Sequence, residues 1–177
     1  MNTYFCNPLS RSGAVGSSSG SGNAKLTLMD TKLKGDIAEQ AVVLYALKKV
    51  WGVLQPVGDR LPYDLVLDVN GVLLKIQVKS AWKDANKDNY VVDNRRTKTN
   101  RRKMVRTNYT PADFDFAIIY IQDLDIFYVM PSEVFISYGS EIHLVEADKR
   151  QRKPKSWPYR NAWELISQRA GSAEMLG

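Results

Sequence analysis

The sequence contains one cysteine, Cys6, and one histidine, His143. A single thiol excludes an intramolecular disulfide and any cysteine-based zinc finger, and a single imidazole excludes multi-histidine metal centres. That composition suits a reducing compartment. His143 has no paired Ser or Cys with which to build a triad, and between Ile142 and Leu144 it alternates to the polar side of a strand, so a structural or surface role is expected. No apolar run reaches the roughly 18 residues that cross a bilayer. The N-terminus also lacks the charged start and apolar stretch of a secretory signal, and the chain is therefore expected to be soluble and cytoplasmic.

What is present suits one domain: 177 residues, 44% of them apolar, can bury a core without staples. Residues 1–24 include a Gly/Ser tract that cannot offset its chain entropy by burial and are expected to form a flexible leader. The folded domain is expected over 25–170, with a flexible tail at 171–177. Lys and Arg number 25 against 19 Asp and Glu, a net charge of +6 that points to a polyanion, nucleic acid first. The excess is clustered. Arg95, Arg96, Lys98, Arg101, Arg102, Lys103 and Arg106 fall within twelve residues, and Lys149, Arg150, Arg152, Lys153 and Lys155 within seven. Such density repels itself unless phosphates neutralise it, so these twelve residues are the candidate DNA contacts. Trp82, Tyr90 and Tyr109 flank the first tract, where packing in the core or on an edge strand is expected of each.

Leu33, Ile37, Ala41 and Leu44 recur at helical spacing after Asp30 or Thr31, either a suitable N-cap, until Gly52 stops the pattern. The other side of that helix carries Gly35, Glu39, Val42 and Ala46, a row of small residues holding one carboxylate. Glu39 is either a solvated edge residue or a group kept there for its chemistry. Further on, Asn70-Gly71 separates the runs Tyr63–Val69 and Val72–Lys79, the pattern of a β-hairpin. A two-residue type I′ turn sets Val69 against Val72, Leu67 against Leu74, Leu65 against Ile76, and Asp64 against Gln77. One face is then apolar, while Asp64, Asp68, Lys75, Gln77 and Lys79 share the other, with Asp64, Gln77 and Lys79 close enough to converge.

Further strands are predicted at Tyr90–Val92, Phe114–Ile121, Ile126–Met130 and Ile142–Val145. Pro131 opens a helical turn, and a last helix runs from Tyr159 or Arg160 to Gln168 with Ala162, Leu165 and Ile166 inward. Asp113, Asp115, Asp123 and Asp125 read as solvated turn residues. The fold class is α/β (α+β), a mixed β-sheet flanked by helices.

Carboxylate and amide oxygens are hard ligands for Mg²⁺, which polarises a phosphate and lowers the pKa of a bound water. A lysine beside them stabilises charge developing on the phosphate or holds the attacking water. Glu39, Asp64, Gln77 and Lys79 are therefore the candidate catalytic residues of a phosphodiester nuclease. The spacing D-x12-Q-x-K alone is common, and solvated residues on a half-exposed hairpin are the competing reading.

Glu39, Pro62-Tyr63-Asp64 and Gln77-Val78-Lys79 resemble the PD-(D/E)XK nuclease superfamily, whose core places a helix Glu ahead of a strand Asp and a following (D/E)XK strand. Two departures stand out: Pro62 is not adjacent to Asp64, and Gln77 replaces the usual acid. The chain is similar to the cyanobacterial group I intron homing endonucleases of this type, through Lys34–Glu39, Val91–Arg96, Phe135–His143 and Lys149–Pro154. The resemblance implies a PD-(D/E)XK core and Mg²⁺, with Mn²⁺ substituting, held by Glu39, Asp64, Gln77 and the Val78 carbonyl. It also implies hydrolysis of double-stranded DNA at an intronless allele and a homotetramer, or at least a homodimer, at the nucleoid in the cytoplasm. A Holliday-junction resolvase or restriction-type enzyme on the same fold is the enzymatic alternative, and a non-catalytic basic DNA-binding module the other.

Overall fold

The computed structural model describes residues 31–99, 104–147 and 153–174. The leader, the N-cap at Asp30, and Arg101, Arg102, Lys103, Lys149, Arg150 and Arg152 lie outside the described residues. In chain order the elements are α1 (Thr31–Lys48), β1 (Gly52–Leu54), β2 (Leu65–Val69), β3 (Val72–Ser80), β4 (Trp82–Lys83), β5 (Tyr90–Asp93), β6 (Arg95–Thr99), β7 (Met104–Asn108), β8 (Phe116–Ile121), β9 (Ile126–Pro131), α2 (Ser132–Ile136), β10 (Glu141–Leu144) and α3 (Glu164–Glu174). A five-stranded sheet has the order β1-β2-β3-β8-β9, mixed because β3 and β8 run parallel and the other neighbours antiparallel. Inserted between β3 and β8 are β4 and β5, which form a small sheet with β10, and the two-stranded hairpin β6–β7.

Asn70 and Gly71 both take positive φ, 54° and 87°, as a type I′ turn requires. The register follows as predicted, with Leu65 opposite Ile76, Leu67 opposite Leu74 and Val69 opposite Val72. Their apolar face, with Phe116, Ile118 and Tyr120 from β8, packs on α1 and α3. The alternate residues of β8, Ala117, Ile119 and Ile121, meet Tyr109, Phe114, Tyr128 and Phe135 on the opposite face. Strand β8 is buried on both sides, which is why it reads as an unbroken apolar run.

Three expectations need correction. Helix α1 buries Ala38, Val42 and Ala46, the small-residue side, and leaves Leu33 and Leu44 about half exposed. Small residues let the helix axis approach β3 closely, which the leucine side would not. The helix ends at Lys48 and is closed by Val50, ahead of Gly52: Val50 is left-handed at φ 60°, and Trp51 N–H reaches back to the Ala46 carbonyl at 3.0 Å. The last helix, α3, starts at Glu164 and runs to Glu174, because Trp157–Tyr159 form a 3₁₀ turn and Asn161 takes φ 51°. Ala162 and Ile166 are buried as expected.

Candidate active site

Asp64 extends the hairpin ladder one residue beyond β2, its N–H donating to the Ile76 carbonyl at 2.9 Å. The side chain therefore stands over Gln77, as the register demands. Asp64 Oδ2 accepts from the Val78 N–H at 2.7 Å and from Gln77 Nε2. The same Gln77 nitrogen donates to the Val78 carbonyl at 3.1 Å, so the Asp64 carboxylate and the Val78 carbonyl are turned toward one point with the buried Gln77 amide between them. It is Nε2 and not Oε1 that faces these oxygens. Turning the amide about its terminal bond puts Oε1 there instead.

Glu39 is half-buried on α1, within the electrostatic reach of Asp64. Burial, then the charges of Asp64 and Asp36, raise its pKa to about 7. Asp64 is also raised, by burial, against the lowering effects of the Val78 N–H, Lys79, Arg96 and Gln77. Lys79 is lowered by burial and held up by Asp64 and Asp93. Its Nζ donates to the Arg95 carbonyl at 3.1 Å and sits 5.1 Å from the centroid of the Tyr109 ring.

Two carboxylates, an amide and a main-chain carbonyl are all hard oxygen donors, a set that suits Mg²⁺. Among the described residues no three His, Cys, Asp or Glu side chains gather to hold a metal, so neutral oxygens would have to complete the shell. Two carboxyls raised by burial, with a partly desolvated ammonium alongside, mark this cluster as a candidate functional site.

The PD-(D/E)XK endonuclease family matches residues 29–166. This chain belongs to that family. A solved structure of the bacterial homing endonuclease I-Ssp6803I is similar to this nuclease at 64% identity and a TM-score of 0.77, covering 82% of this chain and 98% of that one. No curated protein matches it. The mixed sheet flanked by few helices is the family's α+β core, and no helix among the described residues is long and apolar enough to cross a membrane.

The described residues of the first basic tract, Arg95, Arg96, Lys98 and Arg106, fall on β6 and β7, strands that the sequence pattern did not reveal. Arg95 is bound by Asp93 through Nε at 3.0 Å and Nη2 at 3.2 Å, and Arg106 approaches the same carboxylate at 3.9 Å. Arg96 donates to the Arg60 and Leu61 carbonyls at 2.7 and 2.9 Å, tying β6 to the loop that leads into Asp64. Lys98 lies on β6. From the second tract, exposed Lys153 and Lys155 sit over the rings of Trp157 and Tyr138. His143 is exposed on β10 and contacts Asn89, and Tyr90 and Tyr109 are core residues while Trp82 stands outward. Asp115 is more than a turn residue, since it accepts the Lys75 N–H at 2.7 Å. The contacts of Lys79 with Arg95 and Tyr109 were invisible in the sequence because both partners stand at the feet of a hairpin with no Gly-based turn signal.

Proposed function

We propose that this endonuclease is a homing enzyme that makes a double-strand break in DNA of an intronless allele, leaving 5′-phosphate and 3′-hydroxyl ends. The observation that carries the reading is the convergence of Asp64, the Gln77 amide, the Val78 carbonyl and Lys79 at the foot of a basic hairpin, in a chain 64% identical to a homing endonuclease. Glu39, Asp64, Gln77 through Oε1, and the Val78 carbonyl would hold Mg²⁺, with Mn²⁺ substituting. The cation, when bound, would polarise the scissile phosphate and acidify a water. Asp64 accepts the Val78 N–H and so keeps its second oxygen directed by the strand. Lys79 places a positive charge beside the carboxylates, where it stabilises charge gathering on the phosphate or orients the attacking water. Arg95, Arg96, Lys98, Arg101, Arg102, Lys103 and Arg106, with Lys149, Arg150, Arg152, Lys153 and Lys155, serve as the DNA-contacting set. Arg95 exchanges part of its hold on Asp93 for phosphate.

One cluster cuts one strand, so both strands require a second copy related by a twofold axis. Leu33, Leu44 and Leu47, on one side of α1 and each about half exposed, support self-association to a homodimer or homotetramer. Such an enzyme works in the cytoplasm at the nucleoid.

Asp64→Asn and Lys79→Ala are expected to abolish cleavage of a plasmid bearing the I-Ssp6803I target while leaving affinity for the duplex nearly unchanged, because both groups act on the transition state. Binding lost in step with cleavage would show that they serve docking. Preferential cutting of a four-way junction would transfer the protein to the resolvases.

A further inference from the structure

The Lys79 ammonium is gripped from both feet of one hairpin. Arg95 is the first residue of β6, and its carbonyl accepts Nζ at 3.1 Å. Tyr109 follows Asn108, the last residue of β7 and the partner of Arg95 in the ladder, and its ring face lies under the same Nζ at 5.1 Å. The ring has little freedom. Tyr109 is 6% exposed and packs edge-on against Phe114, centroids 5.1 Å apart at 78°, and tilted against Phe135 at 6.3 Å. The other foot is pinned by Asn94, whose N–H donates to the Ser140 carbonyl and whose Nδ2 donates to the carbonyls of Phe135 and Gly139 at 2.7 and 2.8 Å.

We infer that Tyr109 is the positioning residue of Lys79, and that through this grip the DNA-contacting hairpin sets where the ammonium stands beside the Asp64 cluster. The inference rests on the role given to Lys79 above. A lysine ends a flexible four-carbon stem, and an ammonium left unheld spends much of its time away from the reacting phosphate. The negative face of an aromatic ring attracts a cation, whereas the hydroxyl at its edge adds nothing to that attraction. The Arg95 carbonyl belongs to the backbone that also carries Arg96 and Lys98. A duplex seated wrongly on the hairpin therefore displaces the Lys79 ammonium, and correct docking and bond cleavage become one event.

The direct measurement is NMR of the protein with ¹³C-labelled lysine, the Lys79 resonance being assigned by its absence in Lys79→Arg. Ring current is expected to shift the Lys79 ε-protons upfield of the other lysines in the unaltered protein and in Tyr109→Phe, and the shift is expected to vanish in Tyr109→Met, which keeps bulk without a ring. Single-turnover cleavage of a plasmid bearing the I-Ssp6803I target is expected to persist in Tyr109→Phe. In Tyr109→Met it should fall roughly 10- to 100-fold, the loss expected of a misplaced reacting group, with duplex affinity unchanged. An unshifted Lys79 resonance in the unaltered protein overturns the inference whether or not any variant folds. Full-rate cleavage by Tyr109→Met overturns it as well, and so does a Tyr109→Phe protein as slow as Tyr109→Met. Full-rate cleavage by Lys79→Ala has a different meaning: it removes Lys79 from the reaction and leaves the NMR arm to judge the grip.

Discussion

Glu39 and Asp64 carry a cost that the free protein bears at neutral pH. Both carboxyls have pKa values raised in the folded state, Glu39 to about 7 from 4.5 by burial and then by the charges of Asp64 and Asp36, and Asp64 by burial. A group whose folded pKa is raised stabilises the fold fully below its unfolded value and loses that contribution as pH climbs through the folded value. Metal-free protein is therefore expected to lose stability between about pH 4.5 and about pH 7. Urea midpoints at either end of that window, measured for the unaltered chain and for Glu39→Gln, check this. The drop should be smaller in the variant, and an equal drop would mean that burial and its acidic neighbours do not raise the Glu39 carboxyl. Protons and a divalent cation compete for the same oxygens, so Mg²⁺ should stabilise the protein most at the upper end of the window. The Gln77 amide sharpens the point, because as a neutral group it puts no third charge beside the two carboxyls.

At the scale of the element, α1 ends on a residue poorly suited to end it. A β-branched side chain in the left-handed region is strained, and Val50 is 92% exposed, so nothing in the core holds it there. Val50→Gly is expected to raise stability by about 1 kcal/mol and to leave cleavage untouched. A thermal melt reads the first and a plasmid assay the second; a lower melting temperature would show that the Val50 side chain has packing value. The same helix shows what a sequence can disclose about its elements. Periodicity located α1 but not its inward face, because small residues bury by letting backbones approach and carry little hydrophobic signal of their own. The β2–β3 hairpin was legible to the residue, since Asn-Gly dictates both turn and register, and with it the pairing of Asp64 and Gln77. Strands β6 and β7 were not legible: Arg-Arg-Thr-Lys-Thr and Met-Val-Arg-Thr-Asn carry no apolar alternation in sequence, while Arg96 and Asn94 anchor the paired ladder to neighbouring segments. Tyr109 reads as an ordinary core aromatic, and only the fold brings it under Lys79.

Among the described residues Asp64, Gln77 and Lys79 of the proposed cleavage cluster and the leucine-bearing side of α1 lie on different elements, and the proposed double-strand cutting would join the two. Leu44→Asp with Leu47→Asp is expected to lower the mass seen by analytical ultracentrifugation to that of a smaller assembly and to turn double-strand breaks into nicks. Because both side chains are more than half exposed, stability of the single chain should change by no more than about 0.5 kcal/mol. An unchanged mass would place the self-association surface elsewhere. The path of the chain through the five-stranded sheet has a further consequence. Strands β3 and β8 are direct neighbours, yet residues 81–115, with the whole basic hairpin, lie between them in sequence. Doubling the length of such an excursion adds only about 0.6 kcal/mol of closure entropy. The hairpin proposed to meet DNA can thus change in length at little entropic cost while Ala81, Tyr90, Val92 and Phe114 of the same excursion stay packed against β8 and the strands bearing Asp64 and Gln77 keep their pairing. At the hairpin's own foot the inferred grip sets a further condition: a replacement must again offer a carbonyl where Arg95 stands and a ring where Tyr109 stands.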